Sequence, residues 1–111
     1  MKVMTREEWE KAMEAINILQ QFFDKAEDAS YNNAVEAEEV EEKAYREYEE
    51  AEEVDGAPLA WYESYRKPYE KAMNEADLAR ELNDRISDLN TILEKAEGKL
   101  TEIRWTMGFE D

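Results

Sequence analysis

From Trp9 onward one row of residues returns every seven positions: Ile16, Phe23, Ser30, Ala37, Ala44 and Ala51 follow it in turn. An interleaved row, three residues further on, holds Ala12, Leu19, Ala26, Asn33, Val40, Glu47 and Val54. A heptad repeat is the period of a helix that buries one stripe against another helix, and little else tolerates it. Ser30, Asn33 and Glu47 are polar interruptions, yet the phase continues past each of them.

The ends of this segment carry their own signals. Thr5 and Glu8 have the spacing of a capping box, in which a hydroxyl and a carboxylate satisfy exposed backbone donors. Asp55-Gly56-Ala57-Pro58 supplies a glycine that can adopt a left-handed conformation and a proline suited to the start of a following helix. A second segment then places Ala79, Ile86, Leu93, Leu100 and Met107 in one row and Leu82, Leu89, Ala96 and Ile103 in its neighbour. Tyr62, Tyr65, Tyr69, Ala72, Met73 and Ala76 extend the pattern upstream, so this helix is expected from near Pro58 to about Met107, with Gly108 as its stop.

Two segments of about 50 residues, each roughly 75 Å if helical, joined so tightly must run antiparallel. The predicted fold class is therefore all-α, a single acidic domain over 1–111 built as a helical hairpin with a coiled-coil-like seam. Phe23, Leu89 and Leu93 are expected in its core, as are the tyrosines at 62, 65 and 69. Pro68 lacks an amide donor and crowds the preceding turn, which predicts a kink or short break near Lys67. Asn33 and Glu36 could cap a new helix, so a three-helix bundle with a break at Ser30-Asn33 is the alternative architecture.

Composition narrows the chemistry. With no cysteine and no histidine, the chain has no thiol nucleophile, no zinc thiolate and none of the commonest general base. Ser30, Ser64 and Ser87 lack a histidine to activate them, and acyl transfer is not expected. Glu39/Glu42 and Glu81/Asp84 are formally paired carboxylate motifs, but both pairs point away from the seam and would not converge on one ion. The expectation is a non-enzyme with no catalytic residues, no metal and no cofactor. No apolar run approaches a membrane span and no leader-like segment opens the chain, so the expected compartment is the cytoplasm.

Thirty acidic residues against fourteen basic ones leave a net charge of −16, and this charge is unevenly spread. Residues 36–55 hold eleven carboxylates against Lys43 and Arg46. At 100° per residue, Glu38, Glu41, Glu42, Glu49, Glu52 and Glu53 gather on one face away from Val40, Ala44 and Ala51, with Glu39 and Glu50 flanking them. One net charge per about 3.3 Å of helix is close to the phosphate spacing along one DNA strand, about 3.4 Å. Like charges at Glu38/Glu42 and Glu49/Glu53 repel, where an ordinary solvated helix would pair opposite signs. The best basic cluster, Arg66, Lys67 and Lys71, is expected to pair with glutamates across the hairpin. Trp61 is hard to place inward and, with Tyr45, is the candidate aromatic anchor of an interface.

In charge and size the chain resembles the small acidic DNA-mimic proteins that phages use against restriction and CRISPR nucleases. That resemblance rests on the 36–55 block and implies an anti-restriction or anti-CRISPR type of inhibitor. The expected partner is then a basic protein, a nucleic-acid-binding enzyme or nuclease, contacted through Glu38, Glu39, Glu41, Glu42, Tyr45, Glu49, Glu50, Glu52, Glu53 and Trp61, with no direct nucleic-acid or membrane binding. The alternative function is a structural coiled-coil scaffold or adaptor. The thin core of a lone hairpin points in either case to a homodimer or a stable complex.

Overall fold

The computed structural model describes residues 3–109, which form two α-helices, α1 (Arg6–Glu52) and α2 (Leu59–Met107), joined by a turn. The hairpin expected from the heptad rows is present. At the start of α1 the capping box closes: the Glu8 amide donates to Thr5 Oγ1 at 3.1 Å, and the Thr5 amide donates to Glu8 Oε1 at 3.0 Å. These two bonds satisfy donors that the first helical turn leaves open, and hydrogen bonds from the Thr5 amide, first, and its hydroxyl hold the Glu8 carboxyl below its ordinary range. Gly56 and Gly108 both sit at positive φ, 79° and 69°. The helix α1 nevertheless ends at Glu52, ahead of Gly56, as Glu53 and Val54 donate back to the carbonyls of Glu50 and Ala51. Across the joint, the Tyr62 hydroxyl donates to the Val54 carbonyl.

Two expectations about continuity are settled. The helix α1 runs unbroken through Ser30-Asn33, so the three-helix alternative is not the architecture. Ser30 is buried, and its hydroxyl accepts from Asn83 Nδ2 at 2.8 Å, so this polar stretch serves the seam instead of capping a new helix. The break expected near Lys67 is also absent, because α2 continues through Pro68 without interruption. Pro68 and Ser64 both lie on the exposed side, where water can reach the carbonyl that proline leaves without a donor.

The chain divides into two compact units, residues 3–27 with 85–109 and residues 28–84. In the first, Trp9 and Leu93 are buried. The Trp9 indole donates to the Leu100 carbonyl at 2.7 Å, with the Arg104 guanidinium 5.5 Å over its ring. Asn90 donates to the Phe23 carbonyl at 3.1 Å and to Glu27 at 3.0 Å. Phe23 and Leu89 are only half-buried. In the second unit the buried apolar residues are all alanines: Ala34, Ala51, Ala72, Ala76 and Ala79. Small side chains let two helix backbones approach closely, and tyrosines fill the margins: Tyr62, Tyr65 and Tyr69 are half-buried, not enclosed.

The seam itself is displaced from its expected position. The row from Trp9 to Ala51 faces inward throughout, but its partner row lies four residues on, not three. Gln20, Glu27, Ala34, Glu41 and Tyr48 turn inward, while Leu19, Val40 and Val54 are exposed, Val40 at 57%. In α2 the same shift brings in Asn83, Asn90, Glu97 and Arg104, leaving Leu82 and Ile103 exposed. The physical reason is that the polar row finds partners across the hairpin, as Asn83 does with Ser30 and Asn90 with Glu27.

Candidate partner-binding face

The C-terminal half of α1 carries the acidic block, all of it in the second unit. Glu38, Glu39, Glu42, Glu49, Glu50, Glu52 and Glu53 are exposed, as expected of a solvent face. Glu41 departs from that expectation. The shifted seam turns it inward, leaving its side chain 24% exposed, with Arg80 Nη1 3.7 Å from its carboxylate. The same Arg80 nitrogen donates to Glu38 Oε1 at 3.2 Å, and its other terminal nitrogen contacts Asp77. Arg46 pairs with Glu42 at 2.9 Å.

The block is therefore electrostatically divided. Its proximal carboxylates, Glu38, Glu41 and Glu42, already share two arginines. From 47 to 55 the sequence has six carboxylates and no cation, and among the described residues none of the six forms an ion pair. Tyrosines hold two of them: Tyr45 hydrogen-bonds to Glu49 and Tyr48 to Glu52, which raises both phenol pKa values above the ordinary range. Tyr48 stacks on Tyr69 with ring centroids 5.7 Å apart, and Tyr45 leans on the same ring at 5.3 Å. Tyr69, from α2, thus steadies the side chains that orient Glu49 and Glu52.

The expected anchors do not share one surface. Glu38, Glu41, Glu42 and Tyr45 line a groove of about 410 Å³ with Tyr69 and Arg80. Trp61 and Glu50 line a different groove of about 460 Å³ with Glu47, Ala51, Val54 and Tyr65. Trp61 is half-buried, packed edge-on against Tyr62 and Tyr65 at 5.2 and 5.1 Å, so it is less free than an exposed anchor. The basic cluster also differs from expectation. Arg66 pairs with Glu63 and Glu70 at 3.6 Å and Lys71 with Glu75 at 3.9 Å, all on its own helix and none across the hairpin. Arg80 and Tyr69 are the contributors that reading the block by itself could not find, since both come from α2.

Glu39, Glu42, Glu81 and Asp84 are all exposed, and among the described residues no three acidic side chains come together to hold a metal ion. No helix among the described residues is long and apolar enough to cross a membrane. Comparison with protein-family models, curated proteins and solved structures finds no match to this chain.

Proposed function

We propose that the protein is a non-enzymatic acidic decoy, which occupies the basic nucleic-acid-binding surface of a partner protein through the C-terminal half of α1. The observation that carries this reading is the run from Glu47 to Asp55, where six carboxylates stand without a cation among them. Such an array is costly to the isolated protein, because like charges three or four residues apart on a helix repel. A basic groove relieves that repulsion on binding, and release of its counterions makes the association salt-dependent.

Rigidity supports the same reading. A mimic of a phosphate backbone works best with its charges already in place, since ordering them on binding would cost affinity. Here the alanine-lined seam fixes the helix, and Tyr45 and Tyr48 tie down Glu49 and Glu52.

The test begins with affinity capture from a cell lysate, followed by competition of the captured protein with duplex DNA and with single-stranded RNA. A decoy and a nucleic acid exclude each other from one site, so added nucleic acid should displace the protein. Ternary complexes of partner, nucleic acid and this chain, or binding indifferent to salt, would refute the decoy.

A further inference from the structure

We propose that the groove between the end of α1 and the start of α2, lined by Glu47, Glu50, Ala51, Val54, Trp61 and Tyr65, receives an arginine side chain of the basic partner. The inference rests on the decoy reading for the partner's charge, and adds the residue type that the partner must present.

Three grooves of the second unit share one composition, carboxylates beside aromatic rings. In the first, Glu38, Glu41 and Glu42 stand with Tyr45 and Tyr69, and the chain's own Arg80 is the cation among them, 3.2 Å from Glu38 and 3.7 Å from Glu41. In the second, of about 190 Å³, Glu52 and Glu63 stand with Tyr48 and Tyr62, and Arg66 is the cation, 3.6 Å from Glu63. The third has the same parts, Glu47 and Glu50 with Trp61 and Tyr65, in about 460 Å³, and neither an arginine nor a lysine lines it. The fold thus supplies an arginine to two such grooves and leaves the third without one.

The charges around this third groove are unbalanced. Glu47 and Glu50 are exposed, and among the described residues neither forms an ion pair. The cations one turn before them are placed elsewhere: Arg46 is held by Glu42 at 2.9 Å, and Lys43 forms no ion pair with Glu47. On α2, Arg66 is engaged by Glu63 and Glu70, and neither it nor Lys67 lines the groove. The groove also lies at the C-terminal end of α1, whose last turn carries no basic residue. Aligned backbone dipoles give that end a partial negative charge, so a cation is favoured there independently of the side chains.

The aromatic lining selects a guanidinium over an ammonium. Trp61 and Tyr65 are half-buried, with ring centroids 5.1 Å apart and planes at 67°, and Trp61 packs on Tyr62 as well. Rings braced in this way lose little freedom when a cation settles on them. A guanidinium is planar and weakly hydrated, and it can stack on a ring while its N–H groups reach carboxylates; an ammonium is a strongly hydrated point charge. Ala51 and Val54 offer apolar surface to the methylene stem of the same side chain. Arginine is also a residue with which nucleic-acid-binding surfaces contact phosphates, so a decoy gains by holding one.

Hexa-arginine and hexa-lysine peptides, equal in charge, are the probes, titrated into the full chain by calorimetry with the Trp61 indole N–H followed by NMR. The parent should bind hexa-arginine about tenfold more tightly, a difference of about 1.4 kcal/mol, and the Trp61 signal should move with it. Trp61→Leu should cut that preference to about twofold or less and leave hexa-lysine binding nearly unchanged. Glu47→Gln combined with Glu50→Gln should also cut the preference, and this pair decides the matter if Trp61→Leu lowers helicity by circular dichroism. Glu49→Gln with Glu53→Gln removes the same charge outside the groove, and should weaken both peptides alike while the preference for arginine persists. Equal binding of the two peptides by the parent overturns the groove, as does a preference that survives in the groove variants or is lost as fully in the Glu49 and Glu53 pair. The decoy reading is judged separately, by nucleic-acid displacement of the captured partner. If ternary complexes refute the decoy, an arginine preference that depends on Trp61 still upholds the groove as an arginine site.

Discussion

Asn83 donates its side-chain amide to the Ser30 hydroxyl at 2.8 Å, a bond between residues 53 positions apart in the chain. Ser30 is buried, in the unit whose buried apolar residues are all alanines, so this bond is shielded from water. Asn83→Leu should therefore cost about 1–3 kcal/mol, since it removes a hydrogen-bond donor to a buried hydroxyl, and Ser30→Ala should cost a similar amount. The double variant should lose less than the sum of the two, because the bond they share can be lost only once. Urea unfolding of the four proteins checks this, and strict additivity would show that the bond is not formed in solution.

Burial of Leu93 gives a second expectation. Leu93→Ala should destabilise the protein by about 2–5 kcal/mol, the range for truncating a buried leucine. Val40→Ala should change stability by less than about 0.5 kcal/mol, since Val40 is exposed although the heptad rows suggest a core position. Chemical denaturation of both variants distinguishes the observed seam from the one three residues away.

The cap at Thr5 and Glu8 predicts a pH dependence. Hydrogen bonds from the Thr5 amide and hydroxyl hold the Glu8 carboxyl below its ordinary value of 4.5. A group whose folded pKa is depressed stabilises the fold fully above the unfolded value, and that contribution disappears as pH falls through the folded value. Glu8→Gln should thus lower the melting temperature at neutral pH. The difference from the parent should shrink as the pH drops below 4.5. Thermal unfolding of both proteins across the acid range measures it, and a gap that widens in acid would contradict the assignment.

For the acidic face, the division at residue 47 yields a graded outcome. Glu49, Glu50, Glu52 and Glu53 changed together to glutamine should weaken binding to a basic partner by about tenfold or more, near 1.4 kcal/mol, and flatten its salt dependence. Glu38 and Glu42 changed to glutamine should matter less, because Arg80 and Arg46 already balance them. Calorimetry at several salt concentrations reads both variants. Equal losses from the two would mean that the proximal ion pairs open on binding, and no loss from either would remove the acidic face from the interface.

Much of the architecture was legible in the residues themselves. The row from Trp9 to Ala51, the capping box at Thr5 and the joint at Gly56 each act through neighbours in the chain, so local spacing suffices to read them. Continuity through Ser30 was legible too, from a phase that does not slip there. The sequence likewise determined that charge would concentrate on the second half of α1.

Which flank of the inward row would meet the other helix was a matter for the tertiary structure. A heptad allows a partner row either three or four residues away, and apolar character alone favoured the one through Leu19 and Val40. The fold takes the other, in which Ala34 and Ala76 are small enough to allow close approach and Asn83 and Asn90 reach hydrogen-bond partners on the facing helix. That choice turned Glu41 inward beside Arg80, parted Trp61 from Tyr45 and left Leu19 and Ile103 facing outward. Each of these outcomes depends on atoms contributed by both helices, and no spacing within one helix encodes where the other will lie.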